Sequence, residues 1–378
     1  MVFGLAATLA LLLTLEGGAR LFLPRLDWDR FRQNLVRKSY SRWDGGRILR
    51  YTWDERYNFR LLPMTWSVKD GSKVVINDLG LLGPMPRRPK PAGVFRILVL
   101  GGSSSFQTSS VTGKSWPDLM AASLAARPGQ PVEVINAATP GYTTYQSSRR
   151  LQAELLDFDP DLVVVCHLWN DLKLFSLDRP EEAVEQWNAL AAGQKEISAV
   201  SRNNRLDLLG WSQAVTHLRA WWLARRLGRA RKLSEGLEHP RLDETIHSGG
   251  VDFYRRNLGR IADTLAAGKI PMLVVKEPLL VRSDNTPEER GKIHYTYVGF
   301  DHSTLVEAVR RAHEVNDETC RRPGVFCVDP SGVVRSDLLH FKDQVHLKDR
   351  GREAMGQFMA DWIARSFFPA APGSSRAE

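Results

Sequence analysis

Arg96-Ile97-Leu98-Val99-Leu100-Gly101-Gly102-Ser103-Ser104-Ser105-Phe106 is the stretch that decides the fold. An apolar run closed by two glycines reads as a parallel strand covered on both faces, and small residues after it let the backbone turn sharply into a helix. A serine presented at such a turn is a candidate nucleophile. The same Gly-Gly-Ser also suits an ordinary tight turn or an anion-binding loop.

The far end of the chain supplies what a nucleophile needs. A serine hydroxyl becomes reactive when an imidazole takes its proton, and the imidazole needs a carboxylate on its other nitrogen. Asp343-Gln344-Val345-His346 allows both groups to face one site from a single turn, although Asp-x-x-His also reads as a solvated loop. Asn136-Ala137-Ala138-Thr139-Pro140-Gly141-Tyr142 follows an apolar strand at 132–135, and Trp169-Asn170-Asp171 follows the β-prone run 161–166. In an open α/β sheet ligands bind at the C-terminal strand ends, so these loops converge on one site. A glycine amide and an asparagine side-chain amide are the donors an oxyanion hole requires.

Residues 74–366 resemble the SGNH, or GDSL-type, hydrolase family, whose four blocks occur here in order. Gly101-Gly102-Ser103 resembles its Gly-Asp-Ser block with Gly in place of Asp, as in a membrane-anchored bacterial branch, and Ile76 to Gly83 is similar to the lead-in of that branch. The resemblance implies a three-layer α/β/α fold with a parallel central sheet, and Ser103 as nucleophile, with Ser104 and Ser105 leaving the register open. It implies Asp343 and His346 as the remaining triad members, and an oxyanion hole made by Gly141, Asn170 and the Ser103 amide. Two departures concern loop shape: Leu168 stands where the family has Gly, and Gln107 where Gly is common.

The expected activity is that of a serine esterase or deacylase acting on an ester of a cell-envelope glycan or lipid. An O-acetyltransferase of the same fold and a non-catalytic envelope-binding module are the alternatives. No cofactor is expected. No Cys/His cluster has zinc spacing, so no metal is expected either.

At 378 residues, 43% hydrophobic and 25% charged, the chain has an ordinary globular composition. Strand and helix signals alternate as a parallel sheet requires: helices near 115–126 and 145–157, helix 253–267, strand 271–275, helix 303–316, strand 325–329 and a closing helix 351–366. Residues 1–23 read as a membrane anchor, with an exported signal peptide as the other reading. Residues 24–92 form an aromatic, basic lead-in ending in the Pro-rich stretch 84–91. The hydrolase domain spans 93–367 with a helical insertion at 172–250, and a small polar tail at 368–378 is expected to be disordered.

In the insertion Leu208, Trp211, Val215, Leu218 and Trp222 form an apolar stripe beside Arg219, Arg225, Arg226, Arg229, Arg231 and Lys232. A lid over the site, a helix packed on the domain, a membrane-apposed helix and a partner-protein contact are its four readings. The net charge of +9 comes without a nucleic-acid motif, so a membrane surface is the expected partner and nucleic acid is not. Nine Lys/Arg against three Asp between Arg20 and Arg50 would place that side in the cytoplasm, whereas the resemblance places the domain outside. Cys320 and Cys327 could close a short disulfide in an exported domain, and Cys166 reads as core.

Overall fold

A computed structural model of the chain describes residues 2–28, 41–44, 47–107, 114–185, 212–222, 225, 241–242 and 244–368. The chain divides into two compact units, residues 1–55 with 185–237 and residues 56–184 with 238–378.

In the first unit, α1 (Val2–Phe22) and the antiparallel pair β1 (Ser41–Asp44) and β2 (Arg47–Asp54) are accompanied by a helix over 213–222. Glu16 of α1 caps that helix, accepting hydrogen bonds from Ser212 Oγ and from the amides of Gln213 and Ala214, and it pairs with Arg20 at 2.6 Å. The described part of the apolar stripe, Val215, Leu218 and Trp222, is mostly uncovered. Ser212, Thr216 and Ala220 are buried while Leu218, Trp221 and Trp222 are exposed, because small residues four apart form the face that packs. Leu208 and Trp211, with Arg226, Arg229, Arg231 and Lys232, lie outside the described residues, as does the tail after Phe368. Among the described residues no helix is long and apolar enough to cross a membrane.

The second unit opens with β3 (Asn58–Leu61) and the antiparallel pair β4 (Met64–Ser67) and β5 (Lys73–Ile76). A five-stranded parallel sheet follows: β6 (Phe95–Gly101), β7 (Val132–Asn136), β8 (Leu162–Cys166), β9 (Met272–Val275) and β10 (Val325–Val328), in the order β10-β9-β8-β6-β7. All of β8 and β9 is buried, as unbroken apolar runs with helices on both sides predict. The helices are α2 (Ser103–Phe106), α3 (Trp116–Ala125), α4 (Thr144–Arg150), α5 (Trp169–Leu172), α6 (Ser248–Ala267), α7 (Pro287–Arg290), α8 (His302–Cys320) and α9 (Asp349–Phe367). α3 packs on α9, and α4 and α8 pack on α6, giving the expected three-layer α/β/α architecture.

The helix read at 145–157 is α-helical only over Thr144–Arg150 and continues as a π turn (Leu151–Leu155) and a 3₁₀ turn (Leu156–Phe158), and two further helices differ from their sequence reading. α6 starts at Ser248 instead of Phe253: Gly249 and Gly250 sit in its first turn, where the backbone of Leu174 and Asp178 passes too close for any side chain. α8 runs four residues beyond Asn316. That asparagine is fully buried and accepts from Tyr254 Oη at 2.8 Å instead of ending the helix. Cys320, its last residue, is disulfide-bonded to Cys327, and Cys166 is buried.

β7 lies on one side of β6 and β8 on the other, so the chain reverses direction across the sheet at the end of β6. Such a switch point opens a crevice at the C-terminal strand ends. Gly101 pairs with Cys166, and Gly101 O accepts from Thr139 N at 3.0 Å, which brings the loops after β6, β7 and β8 together at that edge.

Candidate active site

The three serines after Gly102 lie on α2, where each residue advances about 100° around the axis and so faces a different group. Ser103 Oγ is 2.9 Å from His346 Nε2. Ser104 Oγ donates to Glu277 Oε1. Ser105 is fully buried against Cys166. The helical period, which triplet spelling conceals, singles out Ser103 as the serine in reach of an imidazole.

His346 Nδ1 lies 2.9 Å from both Asp343 Oδ1 and Oδ2. A carboxylate only accepts, so Nδ1 carries the proton and Nε2 is left to accept from Ser103. The Asp343 carboxylate also takes the amides of Val345 and His346, a tight turn that the three-residue spacing permits. Burial pushes the Asp343 carboxyl up, but the His346 ring and these amides prevail and hold it below the ordinary value.

A second Asp-x-x-His precedes this one. Asp337 Oδ1 and His340 Nδ1 are 2.7 Å apart, with the His340 amide also on Asp337. The two turns clasp each other through Lys342 N to His346 O at 2.8 Å and Lys348 N to His340 O at 2.7 Å. Of the two imidazoles, His346 is the one on Ser103. Gln107 completes the clasp: its side chain accepts from Leu347 N at 2.9 Å and donates to Leu347 O, tying the segment after His346 to the end of α2. The glutamine that departs from the family pattern therefore acts as a two-point backbone clamp.

On the opposite side stands Asn170, whose side chain is held at both ends. Its Nδ2 donates to Tyr142 O at 2.9 Å and its Oδ1 accepts from Tyr297 Oη at 2.8 Å, while the Tyr297 ring stacks on Trp169. The second Nδ2 hydrogen remains to donate elsewhere. A Cβ on Gly102 would lie 2.8 Å from this nitrogen, which explains glycine before Ser103. Gly141 adopts φ +86°, in the left-handed region that glycine tolerates best. Ser103 is the first residue of α2, so its amide has no intrahelical partner.

Beneath Asn170 lie three buried titratable groups. Burial drives His167 down to about 3, so it is neutral, and it bonds Ser147 Oγ at 2.8 Å. Burial drives Asp171 up to about 7 against hydrogen bonds from Thr144. Burial also raises Glu277, whose Oε2 accepts from Trp169 N at 2.7 Å. Glu277 and Tyr297 were not singled out from the sequence. Glu277 follows the apolar run of β9, at the edge where the other site loops gather; no such signal marks Tyr297.

The structure thus brings Ser103, Asp343, His346, Gly141 and Asn170 to one strand-end crevice. The GDSL-like lipase/acylhydrolase family profile matches residues 99–354, which span every one of these positions. The chain belongs to the GDSL-like lipase/acylhydrolase family. This GDSL-type protein is accordingly a carboxylic-ester hydrolase. Solved structures similar to it include a lipase/acylhydrolase from Enterococcus faecalis, with 18% identity, 71% of this chain and 95% of that chain covered, and a TM-score of 0.40. Others are a GDSL-like lipase from Bacteroides thetaiotaomicron, with 13% identity, 71% and 88% coverage and a TM-score of 0.36, and a catalytic mutant of an acetylxylan esterase from Geobacillus stearothermophilus, with 12% identity, 72% and 93% coverage and a TM-score of 0.39. No curated protein matches this GDSL-type hydrolase.

Proposed function

We propose that this hydrolase cleaves an ester of a cell-envelope glycan or lipid through an acyl-Ser103 intermediate. The observation that carries the proposal is the continuous line from Ser103 Oγ through the His346 ring to the Asp343 carboxylate, 2.9 Å at each link. His346 Nε2 takes the Ser103 proton as Oγ attacks the acyl carbon, then returns it to the leaving alkoxide; Asp343 stabilises the imidazolium between these steps. The negative oxygen of the tetrahedral intermediate is met by the Ser103 and Gly141 amides and by Asn170 Nδ2. Water, activated by the same imidazole, then releases the acid.

Location at a membrane, outside the cytoplasm, is part of the proposal. Exposed Leu11, Leu12, Leu13 and Leu15 on α1, exposed Leu218, Trp221 and Trp222, and the Cys320–Cys327 disulfide support it. The test is turnover of p-nitrophenyl acetate and of acetylated glycan oligomers, with and without unacylated glycan as acceptor. Release of free acid in both conditions supports hydrolysis. Transfer of the acyl group to the added glycan would replace hydrolysis with an acyltransferase reading, and loss of no activity in Ser103→Ala would remove the acyl-serine.

A further inference from the structure

Glu277 is 4% exposed, and among the described residues no Lys or Arg pairs with it. A buried carboxylate without a cation is costly unless its oxygens are hydrogen-bonded, so its contacts are the reason it can be there. There are two sides to it. Oε1 accepts from the hydroxyl of Ser104, the residue after Ser103. Oε2 accepts from the amide of Trp169, the residue before Asn170, with the Leu168 amide on the same carboxylate. β9 lies beside β8, which places Glu277 beneath the loop that carries Asn170.

α2 and α5 are four residues each, too short to hold their own geometry in water. Their placement rests on tertiary ties, and one carboxylate ties both. Leu168, with φ −165° and ψ −56°, stands where the family pattern has glycine, and Glu277 binds the backbone on either side of its carbonyl.

We propose that Glu277 is a positioning residue that fixes the distance between the Ser103 hydroxyl and the Asn170 amide by bridging Ser104 and the Leu168–Trp169 backbone. It touches neither substrate nor reacting atoms; it acts through the residues next to the nucleophile and the oxyanion donor. The inference rests on the acyl-Ser103 reading. A displacement of about 1 Å between such groups lowers the rate on the order of 100-fold.

The test is a set of variants, Glu277→Ala, Glu277→Gln, Asn170→Ala and the double variants, measured by kcat and KM on p-nitrophenyl acetate, fluorophosphonate labelling rate and thermal midpoint. Folded Glu277→Ala should lose about 100-fold in kcat with KM changed less than about threefold. Glu277→Gln should recover to within about tenfold of the parent, because its amide still accepts from Trp169 N and offers an N–H to Ser104 Oγ. In the Asn170→Ala background the Glu277 loss should shrink, since no side-chain donor is left to place. Parent-like kcat in a folded Glu277→Ala protein would overturn the proposal, as would Glu277→Ala and Asn170→Ala losses that multiply fully in the double variant, or a Glu277→Gln protein that recovers nothing over Glu277→Ala. If Glu277→Ala does not fold, Glu277→Leu, which keeps the volume and removes both acceptors, is read in its place, by its kcat loss and its cycle with Asn170→Ala. Ser103→Ala, run alongside, separates the failures: activity surviving there removes the acyl-serine reading, whereas a silent Ser103→Ala beside a parent-like Glu277→Ala or Glu277→Leu removes Glu277 alone.

Discussion

Ser103, His346 and Asp343 are joined by hydrogen bonds among themselves, whereas Asn170 and its loop are set by groups that take no part in the triad: Tyr142 O, Tyr297 Oη and the Glu277 carboxylate. The first half is a chain in which each member's partner is another member. Removing any one breaks it. The second half is a scaffolded donor, whose supports can be weakened one at a time. The two halves should therefore fail differently, all-or-none on one side and graded on the other.

The largest effect expected is from Ser103→Ala and His346→Ala, each lowering kcat on the order of 10⁶-fold, with Asp343→Asn retaining more. His340→Ala sharpens this comparison: it removes the imidazole of a turn with the same Asp–His geometry that does not reach Ser103, and the folded variant should keep most of its activity. Comparable losses from the two histidine substitutions would show that the clasp as a whole, and not the Ser103 contact, sets the rate.

On the oxyanion side, Asn170→Ala should cost roughly 100- to 1,000-fold in kcat with little change in KM, because the donor matters only as charge develops on the substrate oxygen. Tyr297→Phe should cost about tenfold and no more, since it frees one end of the Asn170 amide while Tyr142 O still holds the other. A rise in KM at constant kcat for either would mean that Asn170 positions substrate and the hole is made by backbone amides.

The smallest effect concerns stability, and the two halves differ in sign. Asp343, held below its ordinary value, contributes stability that is present above that value and lost as pH falls through the folded value. Asp171, raised from 3.8 to about 7, binds its proton more tightly folded than unfolded, so its contribution falls as pH rises through that window. Denaturant midpoints of the parent and Asp171→Asn, followed from about pH 4 to about pH 8, should diverge in favour of the variant as pH rises. Parallel curves would show that Asp171 is not proton-linked to folding.

What was legible from sequence follows the same division. Gly101-Gly102-Ser103 and Asp343-x-x-His346 carry their geometry in local spacing: a strand ending in small residues, and a carboxylate three residues from an imidazole on one turn. The strands were legible in outline because β8 and β9 are unbroken apolar runs and β6 carries one from Ile97 to Leu100; their order in the sheet was not. Glu277 and Tyr297 act across more than a hundred residues of chain from Ser104 and Asn170, and no periodicity marks such a contact. Gln107 and Leu168 were visible only as departures; their compensations are tertiary. The apolar stripe that includes Val215, Leu218 and Trp222 left its covering open, because residues four apart on a helix define a face without saying which face is covered, and there the covered one is Ser212, Thr216 and Ala220. The start of α6 was placed too late because its first turn carries Gly249 and Gly250, which close backbone approach requires and no periodicity marks.

The helical period of α2 gives Ser103, and neither of the serines after it, to His346. Fluorophosphonate labelling of the intact protein, followed by peptide mass spectrometry, tests it most directly. The adduct should sit on Ser103, with Ser104→Ala and Ser105→Ala proteins still labelled and Ser103→Ala silent; an adduct on Ser104 or Ser105, or labelling that survives Ser103→Ala, would contradict it.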